Sequence, residues 1–292
     1  MGNLKEVRTR IASISSNQKI TSAMKMVSAA KFRRAQNAIY TMRPYSEKLS
    51  EIISNINVED GVDTPYHETR KPERVLLVVV ASNKGLCGAF NSNIIKEANR
   101  RIEFYSESGK NIELSMITIG KRVTEFFSKR TAYVTDSFDD VLDKSSFDNI
   151  SSIAELVMTR FCAKKYDRVE LIYNKFKNSL TQIVSTEQFL PIANNGAKAD
   201  NGGKQQNDYI FEPDKQTILK EMIPLSLRSQ FYRVLLDSLA SEHGARMMAM
   251  QKATDNANEL LKELKLTYNK ARQTAITNEI IEIVSGAEAL NG

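Results

Sequence analysis

Histidine and cysteine each occur only twice in this chain, proline six times and glycine twelve. Each scarcity excludes something. Cys87 and Cys162 fall in different predicted elements, with no CxxC and no Cys/His cluster, so neither a disulfide framework nor a structural zinc site is expected. Free thiols in a reducing cytoplasm account for them more simply. With so little Gly and Pro, and 26% charged residues, the chain is neither collagenous, low-complexity nor disordered. Its longest uncharged apolar run, residues 75–81, is far short of the roughly 20 residues that cross a bilayer, so no segment is expected to span a membrane. A secretory signal is not expected either, because the start keeps placing a charge or amide every few residues. Its Arg-rich, acid-poor character overlaps with a mitochondrial transit peptide, but that reading sacrifices a strong helix.

What is present is concentrated. Up to Arg43 there are nine bases (Lys5, Arg8, Arg10, Lys19, Lys25, Lys31, Arg33, Arg34, Arg43) and one acid, Glu6, a local +8 within a chain whose total is +6. The remainder is slightly acidic. Length alone suggests about two domains at roughly 150 residues each.

Leu4, Val7, Ile11 and Ile14 alternate spacings of three and four, the seam of a coiled coil. The apolar pattern fails over residues 15–19 and resumes at Ile20, Met24, Val27, Ala30 and Ala38. Helix is therefore expected over 1–57, and the Gly, Pro, Asp and Thr of 58–73 mark a linker. From 74 to 212 the period changes. The run 75–81 reads as a strand buried on both faces. It is followed by a helix bearing Phe90, Ile94, Ala98, Ile102 and Tyr105 on one face, a strand over 112–119, helices over 121–128 and 147–164, and a strand over 169–176. Alternating strands and helices predict a parallel α/β sheet. A hairpin turn at Lys177, Asn178 and Ser179 then leads into an antiparallel edge strand, and an exposed loop is expected over 194–208.

The C-terminal segment, 213–292, is the most extreme. After a helix start at Pro213-Asp214 and a break or kink at Pro224, neither Pro nor Gly recurs before Gly286, apart from Gly244. Some 60 residues at about 1.5 Å each make a rod of roughly 90 Å. Leu236, Leu239, His243, Met247, Met250, Ala253, Ala257, Leu261, Leu264, Tyr268, Ala271 and Ala275 mark its seam. The N-terminal helix is the only comparable partner. The expected fold is a long antiparallel coiled coil of the two chain ends, with the α/β domain inserted between them.

Chemical equipment is sparse. Ser82-Asn83-Lys84-Gly85-Leu86-Cys87-Gly88 stands where a phosphate loop would, but it matches neither GxxxxGK[ST] nor GxGxxG. An ordinary tight strand-to-helix turn fits it better. Cys87 lacks candidate bases, since His67 lies in the linker and His243 in mid-helix beside Glu242. No catalytic, cofactor or metal residues are expected. The basic helix would tolerate nucleic acid, yet it has almost no aromatics before Phe32 and no helix-turn-helix or RRM pattern, and an acidic protein surface satisfies the same charge. Met24, Met26, Met247, Met248 and Met250 read equally well as core filler or as an adaptable sliding contact.

Several blocks resemble a known family. They are Leu4-Lys5-Glu6-Val7-Arg8-Thr9-Arg10-Ile11, Gln18-Lys19-Ile20-Thr21-Ser22-Ala23-Met24-Lys25-Met26-Val27, the loop Ser82 to Gly88, Ala240-Ser241-Glu242-His243-Gly244-Ala245-Arg246-Met247-Met248-Ala249-Met250, Ala253-Thr254-Asp255-Asn256-Ala257, and Tyr268-Asn269-Lys270-Ala271-Arg272-Gln273 with Ile276-Thr277-Asn278-Glu279-Ile280. Together they resemble, almost end to end, the gamma subunit of F-type ATP synthases. The resemblance implies a non-catalytic rotor shaft inside a hexamer of alpha and beta subunits, with a Rossmann-like α/β foot beside the epsilon subunit and the membrane c-ring. It implies no nucleic-acid partner and a peripheral place on the cytoplasmic face of a bacterial membrane. It also implies rotor–stator contacts at Met24 and Arg246, facing an acidic lever of beta, and at Arg272, Gln273 and Thr277, facing a beta loop. The paired cysteines of the light-regulated chloroplast form have no counterpart, so thiol control is not expected.

Overall fold

The computed structural model describes residues 2–60, 64–107, 112–131, 133–143, 145–178, 181–192 and 215–291. The expected loop over 194–208, the Pro213-Asp214 helix start and Ser179 of the hairpin turn lie outside them. In order come helix α1 (Gly2–Asp60), strand β1 (Arg74–Val80), helix α2 (Phe90–Glu107), strand β2 (Glu113–Ile119), helix α3 (Lys121–Ser128), strand β3 (Val134–Ser137), a short 3-10 turn (Asp140–Leu142), helix α4 (Phe147–Cys162), strands β4 (Arg168–Phe176) and β5 (Gln182–Leu190), and helix α5 (Lys215–Asn291). Two compact units result, one made of Met1–Ala29 with Arg246–Gly292, the other of Ala30–Ala245. These units cut through both long helices, whereas the boundaries read from composition fall at 57, 73 and 212.

The larger unit is a five-stranded sheet in the order β3-β2-β1-β4-β5. β1 pairs in parallel with β2 and β4, β2 with β3 likewise, and β5 runs antiparallel to β4. Because side chains alternate along a strand, β1 feeds two cores. Leu76, Val78 and Val80 meet Ile150, Ala154, Val157 and Phe161 of α4 on one face. Val75, Leu77 and Val79 meet Ile94 and Ala98 of α2 and Val123 and Phe127 of α3 on the other. That double burial explains the unbroken apolar run. Gly120, between β2 and α3, has φ of 107°, and a Cβ there would stand 2.4 Å from the Ala81 carbonyl oxygen. Only glycine permits this close approach of two strand ends.

The first core has a contributor that lies beyond 212. Ile223, Leu227, Phe231, Val234 and Leu235 of α5 are buried in it. They explain why α5 continues through Pro224 as one helix and does not break there. An interior proline costs about 3 kcal/mol, but each fully buried Leu, Ile or Phe returns roughly 1.5–3 kcal/mol, and three of them lie within seven residues of it. Within the same unit α1 packs Ala35 and Ile39 against Leu236, Leu239 and Ala240, and the Phe32 ring meets Phe176 edge-on, centroids 5.5 Å apart. Two smaller differences are local. β3 carries no apolar alternation that sequence could reveal, and α4 stops at Cys162 because Lys164 adopts a left-handed φ of 58°.

Charged groups inside this unit are paired. Glu170, buried on β4, receives Arg101 Nη2 at 2.6 Å and the Tyr105 hydroxyl at 2.6 Å. Burial, followed by that bond, pushes the Tyr105 phenol up to about 12. Asp167, also buried, accepts the Arg74 backbone N–H at 2.9 Å, the Glu73 N–H at 3.2 Å and Arg74 Nη2 at 3.1 Å. Burial alone would raise its pKa, but these donors outweigh it and hold the carboxyl below its ordinary value. With the folded pKa under the unfolded value of about 3.9, the carboxylate stabilises the fold above that pH, and the contribution is lost as pH falls through the folded pKa. Asp167→Asn is therefore expected to lower the unfolding midpoint at pH 7 and to flatten the acid limb below about pH 4, measured by chemical denaturation across pH.

Candidate functional site: a two-helix seam and its uncovered ends

All five residues singled out by resemblance lie in the smaller unit, so its geometry decides what they can do together. Along α1 the inward positions are Leu4, Val7, Ile11, Ile14, Gln18, Thr21, Lys25 and Ser28. Their spacings alternate three and four without interruption, a strict heptad. On α5 the matching positions are Met250, Thr254, Ala257, Leu261, Leu264, Tyr268, Ala271 and Ala275. Thr21 Oγ1 and Thr254 Oγ1 lie 2.9 Å apart and fix the register. Counting outward along antiparallel helices sets Gln18 level with Ala257, Ile14 with Leu261, Ile11 with Leu264, Val7 with Tyr268 and Leu4 with Ala271.

This corrects the seam read from apolar spacing. Ile20 and Val27 do not resume it, because Ile20 is 54% and Val27 58% exposed, whereas Met24 is half-buried like its neighbour Lys25. The seam instead passes through Gln18, Thr21, Lys25 and Ser28, whose polar character hid it. Periodicity was the right signal and hydrophobicity the wrong filter. In the same way Thr254 takes a buried position beside the expected Ala253, which is half-buried.

The register sorts the five residues into two levels. Met24 stands level with about residue 251, within five residues of Arg246, or roughly 8 Å along the axis. Arg246 is buried despite its charge. Arg272, Gln273 and Thr277 are exposed, and lie about 30 Å further along α5 by helix rise. Near Gln273, α1 begins and α5 continues without it to Asn291, a further 27 Å or so. Beyond that point Ile276, Ile280, Ile281, Ile283 and Val284 are all exposed, Ile283 at 70%. Five large aliphatics on one unpaired helix end form an apolar surface of the kind that marks an interaction site. Composition does not reveal it, since the same isoleucines would be core on a paired helix. Around α1, Lys5, Arg8, Arg10 and Lys19 are likewise exposed, so part of the concentrated positive charge faces outward.

Chemistry elsewhere is closed off. The strand order turns around between β1 and β4, where open α/β sheets receive ligands. Here α5 occupies that place. Ala245 packs on Cys87 and Phe90, and the Ser241 hydroxyl donates to the Asn174 carbonyl at the end of β4, at 3.1 Å. The Ser82 hydroxyl lies 2.7 Å from the Lys84 carbonyl and 2.9 Å from Asn91 Oδ1, which also accepts the Ser82 N–H at 3.1 Å. Ser82 is thus satisfied within the loop and turns neither of its donors toward a phosphate. His67 has its Nδ1 2.6 Å from the Thr64 hydroxyl, and burial lowers its pKa. Among the described residues no group of His, Cys, Asp and Glu could hold a metal ion, and no helix is long and apolar enough to cross a membrane.

A family model described as ATP synthase matches residues 3–290. The ATP synthase gamma chain of Flavobacterium psychrophilum is 53% identical, and that of Cytophaga hutchinsonii 54%, each over 294 residues covering 100% of both chains. Among solved structures, a chain of the Euglena gracilis mitochondrial ATP synthase (OSCP/F1/c-ring, rotational state 3) superposes with a TM-score of 0.69 at 20% identity, covering 99% of this chain and 95% of its own. A chain of the Tetrahymena thermophila mitochondrial ATP synthase central stalk and c-ring gives 0.59 at 26% identity, covering 80% and 99%.

The satisfied donors of Ser82 and the occupied crevice yield one expectation. Titrating the full-length chain with ATP or ADP should release no binding heat, and saturable heat lost in Lys84→Ala would restore the phosphate-loop reading.

Proposed function

The chain belongs to the ATP synthase gamma-chain family, the central-stalk subunit of the F-type enzyme, and we propose that it acts there as a rotor shaft that performs no chemistry itself. In this reading it transmits torque between the ion-driven c-ring and the alpha3beta3 hexamer, in the direction of ATP synthesis or hydrolysis. The observation that carries it is the unpaired end of α5, where Ile276, Ile280, Ile281, Ile283 and Val284 are exposed. An apolar helix tip of this kind calls for an enclosing sleeve, and a hexamer around a central axis supplies one. A helix pair that ends as a single helix is also asymmetric about its axis. Each orientation therefore presents different contacts to otherwise identical catalytic subunits, and only differential contact can shift their states.

The residue roles follow as part of the proposal. Met24 and Arg246, at one level, face an acidic lever of beta, while Arg272, Gln273 and Thr277 face a beta loop where α5 stands alone. Exposed bases on α1 complement acidic protein around the shaft. The sheet-containing unit serves as the foot, beside epsilon and the c-ring. Catalysis belongs to beta, which suits a chain whose described residues bring no acid–base cluster together. The complex sits peripherally on the cytoplasmic face of the bacterial membrane.

A tagged chain should co-purify alpha and beta with ATPase activity from gently extracted membranes; recovery as a lone monomer would overturn the reading. Met24→Lys adds charge at a half-buried shaft position. It should leave ATP hydrolysis in place while lowering ions pumped per ATP several-fold in membrane vesicles, and an unchanged ratio would remove Met24 from the contact.

A further inference from the structure

Residues 18–28 of α1 hold two competing seams. One is observed: Thr21 meets Thr254 of α5, and Gln18, Lys25 and Ser28 share its heptad, Ser28 buried and the other two half-buried. The other is the apolar set Ile20, Met24 and Val27, which has the same four-and-three spacing one residue out of step. Turning α1 by about 100° exchanges them. Burial of apolar surface favours the second set, yet Ile20 and Val27 stay out and Met26 is 65% exposed. Nearer the chain start, Leu4, Val7, Ile11 and Ile14 pin the azimuth by packing. Past Ile14 that hold ends, so something polar must keep the outward face outward.

We propose that the Thr21–Thr254 pair is the register lock of this stretch and acts as a positioning element for Met24. A threonine hydroxyl has one proton. Thr254 has the Met250 carbonyl within 2.8 Å and Thr21 the Gln18 carbonyl within 3.0 Å as acceptors on their own helices. Whichever hydroxyl turns its proton across the 2.9 Å gap donates, and the other, bonded to its own backbone, accepts. Thr254 is buried and Thr21 half-buried, so water competes weakly for the bond. A single polar pair at a seam position is a known way to specify register at some cost in stability. Met24 lies three residues past Thr21, and a rotation of α1 that turns Ile20 and Val27 toward α5 breaks the pair and turns Met24 further inward with them. The positional part of the proposal rests on the rotor-shaft reading; the lock itself does not.

The test uses the assembled complex and two readouts. Gln18→Cys with Ala257→Cys reports the observed register through disulfide yield under mild oxidation. Adding Thr21→Val and Thr254→Val, which keep shape and remove the hydroxyls, should lower that yield about two- to tenfold, the weight of one hydrogen bond. In chains without the added cysteines, the same Val substitutions should lower ions pumped per ATP while hydrolysis persists, and Thr21→Ser with Thr254→Ser should restore both values. Where the double Val chain does not assemble, either single Val substitution breaks the same bond and carries the same expectation. An unchanged cross-link yield in the Val background overturns the lock. A reduced yield with undisturbed pumping leaves the lock standing and overturns its role in positioning Met24, while the shaft reading itself falls only if the chain fails to co-purify with alpha and beta.

Discussion

A helix of 77 residues cannot keep its apolar stripe in water, and nearly every feature of this protein follows from how α5 disposes of that stripe. Within the larger unit it gives Ile223, Leu227, Phe231, Val234 and Leu235 to the face of the sheet and Leu236, Leu239 and Ala240 to α1. Within the smaller unit it runs a heptad seam from Met250 to Ala275 against the start of α1. Past the end of α1 it has no partner among the described residues, and its isoleucines stay exposed. One element thus changes partner along its length, which is why no proline or glycine apart from Gly244 interrupts it between Pro224 and Gly286.

The sequence made the architecture legible wherever burial and periodicity agree. The doubly buried run of β1, the amphipathic α2, the antiparallel β5 and the pairing of the two chain ends all show one period and one kind of residue. Legibility failed where the two signals part. At Gln18, Thr21, Lys25 and Ser28 the heptad persists in polar residues, while Ile20 and Val27 carry the hydrophobicity outward. A filter that looks for apolar spacing chooses the wrong face there. At Pro224 a local rule that favours a break was overridden by packing that exists only in the tertiary structure. β3 is too short and too evenly polar to register at all.

The candidate site was legible by another route. Met24, Arg246, Arg272, Gln273 and Thr277 came from resemblance, not from any chemistry in their side chains. Their division into two levels, and the bare helix tip beside the second, required the register that Thr21 and Thr254 set. The scarcity of histidine and cysteine pointed in the same direction, since surfaces that slide and press need shape and charge more than acid–base groups. Arg246 is buried, while bases on α1 and the aliphatics past residue 275 face outward.

The place of residues 223–235 in the sheet's core bears on biosynthesis. α1 leaves the ribosome first and the sheet follows, yet the helix that completes one face of the sheet comes some thirty residues after β5 has been made. Until then Leu76, Val78, Val80 and the apolar stripe of α1 lack their final cover, and nucleation must wait for contacts between distant parts of the chain. Such a nascent chain is exposed to aggregation for most of its synthesis. The same continuity that lets one helix serve both units leaves one face of the sheet waiting for a segment made late.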